Sequence, residues 1–135
     1  MSDARRPLDR LPGSRREWSA LLQELGVRPS RAMGQNFLVE PGVVDRIVRA
    51  AAVTPGDVVV EVGAGLGILT GHLLDAGARV TSIELDRNLV PYLRRTFGDL
   101  PDFTLIEGDA LEVPIDQIVG HGDRYKVVAN LPYSI

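Results

Sequence analysis

Val58-Val59-Val60-Glu61-Val62-Gly63-Ala64-Gly65-Leu66-Gly67 decides the architecture of this chain. A short apolar run rich in valine reads as a buried strand, and the glycines that follow allow a sharp turn. Leu66, Leu69 and Leu73 then recur at helical spacing until Gly77, so the unit is strand, glycine turn, helix. Downstream, Arg79 to Glu84 reads as a second strand and Phe103 to Glu107 as a third. A helix beginning near Asn88 and carrying Leu89, Leu93 and Phe97 lies between them. Pro91 falls in the first turn of that helix, where no intrahelical N–H bond is lost. A helical turn around Gln117 to Val119 and a turn at Gly120 to Asp123 lead to a fourth strand, Tyr125 to Ala129. Strands alternating with helices predict an α/β fold with a parallel sheet and a Rossmann-like arrangement.

Upstream, Ser14 and Glu17 form a capping box, and Trp18, Leu21, Leu22 and Leu25 follow at i, i+3, i+4, i+7 before Gly26. This predicts a short amphipathic helix whose stripe packs on the same chain. Pro41 opens a second helix with Val44, Ile47, Val48 and Ala51 on one side, and Thr54 to Asp57 is a turn. Residues 1 to 13, with Pro7, Pro12 and Gly13, show no periodicity and are expected to form a mobile tail.

The chain has 135 residues, no cysteine, 44% apolar and 24% charged residues, the profile of a globular domain. A disulfide scaffold and a thiolate metal site are excluded. The longest apolar run is four residues, Ala50 to Val53, against the roughly 20 of a membrane-spanning helix. The start shows no apolar secretory signal, so a cytoplasmic protein is expected. His72 and His121 form no cluster, and no metal is expected. Residues 1 to 31 carry seven arginines against four acids, a net +3, while the remainder carries −6. A basic leader on an acidic body is compatible with a polyanion touching the leader; an Arg-rich solvated tail would look the same.

Ligands in parallel sheets sit beyond the carboxyl ends of the strands. There fall Gly63 to Gly67 after the first strand, Glu84 after the second, Asp109 after the third and Asn130 after the fourth. The loop has G-x-G-x-G spacing rather than the dehydrogenase G-x-G-x-x-G, which disfavours a nicotinamide cofactor. Glu84 at a strand end can accept both hydroxyls of a ribose. An acid before the loop, the G-x-G-x-G spacing and an acid ending the second strand resemble the class I methyltransferases, which bind S-adenosylmethionine.

Asn130-Leu131-Pro132-Tyr133 supplies what methylation of an exocyclic amine requires. The adenine N6 lone pair is delocalised into the ring and attacks poorly. If Asn130 Oδ1 and the Leu131 carbonyl accept its two N–H groups, the nitrogen is held with its lone pair free to point at the methyl. Pro132 fixes the turn and Tyr133 can stack on the base, worth roughly 1 to 3 kcal/mol. Positioning carries such chemistry rather than a strong base. The target base must be unstacked to enter, which single-stranded RNA permits at little cost.

Through GQNFL (Gly34 to Leu38), EVGAGLG, IELD, GDAL and NLPYSI, residues 31 to 135 resemble the ribosomal RNA adenine dimethyltransferases. The resemblance implies transfer of two methyl groups from S-adenosylmethionine to each of two adjacent adenosines near the 3′ end of small-subunit rRNA, during subunit maturation. It implies cofactor contact by Asn36, Leu38, Gly63, Gly65 and Glu84, and acceptance of the cofactor adenine's amino group by Asp109. Asn130 would touch cofactor and target together, with Leu131, Pro132 and Tyr133 completing the catalytic turn. Gln35 would order the loop, and Phe37 would cap the target pocket or be buried. The alternatives are the macrolide-resistance branch, which methylates large-subunit rRNA, and a noncatalytic RNA-binding relative.

The organisation expected is a basic leader with a short helix over residues 1–30 and the N-terminal part of a cofactor-binding domain over 31–135. The family continues with three more strands and a small helical domain. The chain is therefore expected to be an N-terminal portion of a protein that works as a monomer on the immature small subunit. Val127 to Ala129 would then leave an open sheet edge. An RNA-binding role for the leader predicts that replacing Arg5, Arg6, Arg15 and Arg16 by alanine weakens RNA affinity at low salt.

Overall fold

The computed structural model describes residues 3–26, 41–120 and 124–129. Among these residues four strands form one parallel sheet: β1 (Val58–Val62), β2 (Arg79–Glu84), β3 (Phe103–Glu107) and β4 (Lys126–Ala129), in the spatial order β3-β2-β1-β4. The order reverses at β1, whose neighbours are β2 and β4. The first three strands have the bounds expected from sequence, and β4 begins one residue later. Among the described residues five α-helices accompany them: α1 (Arg15–Leu25), α2 (Pro41–Ala50), α3 (Ile68–Asp75), α4 (Val90–Phe97) and α5 (Ile115–Val119). None of the described helices is long and apolar enough to cross a membrane.

The helix signals act as read. Ser14 Oγ accepts the Glu17 N–H at 3.2 Å, while the Glu17 carboxylate reaches back to the N–H of Gly13, one residue before the cap itself. Gly26 closes α1 in the left-handed conformation, φ +67°. Leu22 is buried, and Trp18, Leu21 and Leu25 pack against the core beside it. The helix before β3 begins at Val90, two residues later than expected, because Asn88 and Leu89 belong to a turn in which Asp86 Oδ1 accepts the Asn88 N–H.

In-register strand residues share a sheet face. One face aligns Val59 with Val80 and Phe103, then Glu61 with Ser82, Leu105 and Val128. Apart from Glu61 and Ser82, these residues pack into the core with Leu69 and Leu73 of α3 and Leu93 and Phe97 of α4. The opposite face is only partly covered: Val60 and Ile83 are buried, but Val127 on β4 is 57% exposed. Among the described residues, β4 pairs on one side only, with β1.

The expectation of a mobile tail is corrected over residues 3–13. Pro7–Arg10 forms a 3-10 turn, and Leu8 and Leu11 lie against Gly71 of α3, where an added Cβ would meet both at 3.1 to 3.3 Å. The Arg10 side chain is 1% exposed. Its guanidinium donates to the carbonyls of Asp3, Arg5 and Thr96 and to the Asp99 carboxylate at 2.5 Å. Buried arginine is tolerated because Nε and both terminal nitrogens of the planar group each meet an acceptor. Two more of the leader's cations bond within the chain: Arg5 pairs with Asp3 and Arg6 with Asp75. Arg15 and Arg16 are exposed on the first turn of α1.

Candidate functional site

The glycine loop leaves β1 at the sheet's carboxyl edge and turns through Gly63, Gly65 and Gly67 at φ +77°, +57° and +84°. Alternating left-handed residues are what glycine alone adopts without strain. Among the described residues nothing lies within 4 Å of where a Gly63 Cβ would stand. Gly67 is closed instead, with Phe97 Cε2 only 2.8 Å from a Cβ position.

Glu84, the last residue of β2, is buried beside this loop. Its Oε1 accepts the Gly65 N–H at 2.7 Å and its Oε2 accepts the Asp86 N–H at 2.9 Å. Both oxygens are thereby fixed, and each keeps a further acceptor direction. The backbone continues the stitching past the strand ends: Gly63 N–H donates to Ile83 O, and Gly108 N–H to Glu84 O, both at 2.9 Å. This brings the start of the glycine loop, the end of β2 and the start of the Asp109 loop to one edge. Asp109 is half-buried, and its Oδ1 accepts the Leu111 N–H at 2.9 Å. β4 ends at Ala129, the residue before Asn130, on the other side of β1. Asn36, Leu38, Asn130, Leu131, Pro132 and Tyr133 lie outside the described residues, as do Gln35 and Phe37.

The residues present fit a nucleoside-bearing cofactor. A glycine backbone without a Cβ at Gly63 admits close approach, and a held carboxylate at Glu84 suits a diol. Leu85, the next residue, is 67% exposed and offers an apolar face beside that carboxylate. Sequence reading did not single out Leu85; an apolar residue directly after the strand-ending acid was the available signal. Among the described residues no group of three or more His, Cys, Asp or Glu could hold a metal.

Glu61 was read only as an acid preceding the loop, and the structure gives it a distinct place. It is fully buried in the sheet, with Oε1 accepting the hydroxyls of Thr70 at 2.5 Å and Ser82 at 2.7 Å. Its Oε2 has no partner among the described residues. Burial pushes the carboxyl up to about 7; the two hydroxyls oppose this and the nearby Glu84 charge adds to it. The unfolded chain holds this group at its ordinary value near 4.5, so between these values the folded chain binds more protons. Its stabilising contribution is complete below the lower value and is lost as pH rises through about 7. Urea midpoints should therefore fall as pH rises from about 5 to about 8, and Glu61→Gln should flatten that fall. Parallel profiles for the two proteins would overturn this assignment.

Comparison with known proteins follows the same outline. The family described as Ribosomal RNA adenine dimethylase matches residues 28–135. The chain is 45% identical over 115 residues to a Clostridium perfringens protein named Ribosomal RNA small subunit methyltransferase A, covering 85% of this chain and 40% of that one. It is 49% identical over 118 residues to the Opitutus terrae protein of the same name, covering 85% and 43%. The chain thus spans about two fifths of the length of these relatives. Among solved structures, the 23S rRNA methyltransferase ErmE aligns with TM-score 0.62 and 32% identity over 73% of this chain and 38% of its own. A dimethyladenosine transferase from Plasmodium falciparum aligns with TM-score 0.58 and 29% identity over 73% and 34%.

Proposed function

Because the chain belongs to the ribosomal RNA adenine dimethylase family, we propose that its protein methylates N6 of two adjacent adenosines near the 3′ end of small-subunit rRNA, using S-adenosylmethionine. The fold is the Rossmann-like fold of class I methyltransferases. The observation that carries the reading is Glu84: a buried carboxylate tied to the glycine loop at the sheet's carboxyl edge, with Asp109 entering from the next strand. Residues 1–30 are the leader and 31–135 the N-terminal part of the methyltransferase domain. The substrate is the immature small subunit in the cytoplasm, met by a monomer.

S-adenosylmethionine supplies a methyl group on a sulfonium, whose departure as a neutral thioether needs no metal. The chain's own residues bind and orient. Gly63 and Gly65 let the backbone approach the cofactor, Glu84 accepts the ribose hydroxyls, Asp109 accepts the adenine amino group, and Leu85 packs against the base. Asn36 and Leu38 complete the cofactor contacts. Asn130 Oδ1 and the Leu131 carbonyl accept the target amine's N–H groups, freeing the lone pair from the ring, while Pro132 sets the turn and Tyr133 stacks on the extruded base. Each methyl added releases one proton from N6.

Small-subunit rRNA is preferred to large-subunit rRNA because the relatives named for the small subunit are 45% and 49% identical to this chain, against 32% for ErmE. The test is methyl transfer by the full-length protein to immature small subunits and to large subunits, with nucleoside analysis of the product. Dimethyladenosine at two adjacent positions of the small-subunit RNA is expected. Transfer to the large subunit alone, or none with tight RNA binding, would replace the proposal by one of its two alternatives.

A further inference from the structure

A loop built on three left-handed glycines has wide conformational choice, so a fixed shape needs partners on both sides. Glu84 supplies one partner at Gly65. The other side is braced by α4, from which Leu93 and Phe97 fill the space against Gly67, while Tyr92 Oη donates to the Leu66 carbonyl at 2.7 Å. Tyr92 is buried, and burial pushes its phenol well above the ordinary range, so it stays a donor. The helix itself is tied down at its C-terminal end, where Arg10 of the leader bonds to Thr96 O and Asp99.

We propose that Tyr92 is a positioning residue for the cofactor, its hydroxyl holding the Leu66 carbonyl so that the glycine loop keeps its binding shape. This rests on reading Gly63 to Gly67 as the S-adenosylmethionine loop. Leu93 and Phe97 act on the same loop through packing, and their removal would confuse binding with unfolding. The Tyr92 hydroxyl is separable, because Tyr92→Phe keeps the ring and deletes one hydrogen bond.

The experiment uses the full-length protein, with calorimetric Kd values for S-adenosylmethionine and S-adenosylhomocysteine taken well below the melting temperature. Tyr92→Phe should weaken both ligands about tenfold, equivalent to about 1.4 kcal/mol, and raise the cofactor KM while leaving the RNA KM unchanged. Tyr125→Phe is the control: the same substitution deletes the bond from Tyr125 Oη to Asp116 Oδ1, before the start of β4 and away from the loop, and its Kd values should match the wild type. Unchanged Kd in Tyr92→Phe, or an equal rise in Tyr125→Phe, overturns the assignment. A wild-type protein that binds neither ligand overturns the parent reading and this inference with it.

Discussion

Glu84→Ala is expected to weaken S-adenosylmethionine binding by at least about 100-fold, because a hydrogen bond to a charged group is worth roughly 1.5 to 3 kcal/mol and, in the proposed site, two ribose hydroxyls lose theirs together. The same change strips the Gly65 and Asp86 N–H groups of their acceptor, so the loop loosens as the ligand contact disappears. Glu84→Gln separates the two effects. Its amide oxygen can still accept the Gly65 N–H, but its NH2 group faces the Asp86 N–H that Oε2 now accepts. The glutamine variant should therefore bind more tightly than the alanine variant and well below the wild type. Calorimetry on folded protein reads this directly, and a Glu84→Ala Kd within about threefold of the wild type would remove Glu84 from the cofactor site.

Phe97→Ala is expected to cost about 3 to 5 kcal/mol of folding stability. Its ring is fully buried, sits 5.6 Å from the Phe103 ring at an interplanar angle of 58°, and fills the space above Gly67 and Gly71. Set against a typical total of about 5 to 15 kcal/mol, such a loss removes a large share of stability. Urea denaturation should show a much lower midpoint. A loss under about 1 kcal/mol would mean that the α4–loop contact is not tightly packed. The reciprocal change, Gly67→Ala, drives a Cβ against the same ring at a backbone angle of φ +84°, so it should also destabilise.

Much of this fold is legible in the chain because its signals are local. Strands β1 to β3 announce themselves by apolar runs between turns, and α1 by Ser14, Glu17 and Gly26 within one short stretch. The order of strands and helices then places Glu84 and Asp109 at one edge, since parallel strands all end on the same side. The glycine loop, Glu84 and Asp109 stand at that edge, while the NLPY turn rests on the chemistry its residue types allow and the GQNFL roles on the family resemblance.

Residues 3–13 were misread as a mobile tail because a 3-10 turn of four residues carries no periodic stripe, and its anchors lie far along the chain. Arg10 meets Thr96 and Asp99 across separations of 86 and 89 residues, and Tyr92 meets Leu66 across 26. No window of sequence contains both partners. The sequence by itself determined the alternation of elements, the parallel sheet and the edge at which the acids fall, since periodicity and chain order suffice for these. The tertiary structure alone decided that Glu61 is buried with a raised pKa, that the leader clasps α4, and that α4 braces the glycine loop. Those outcomes depend on which side chains meet after collapse, and burial and hydrogen bonding at such meetings are properties of the packed chain.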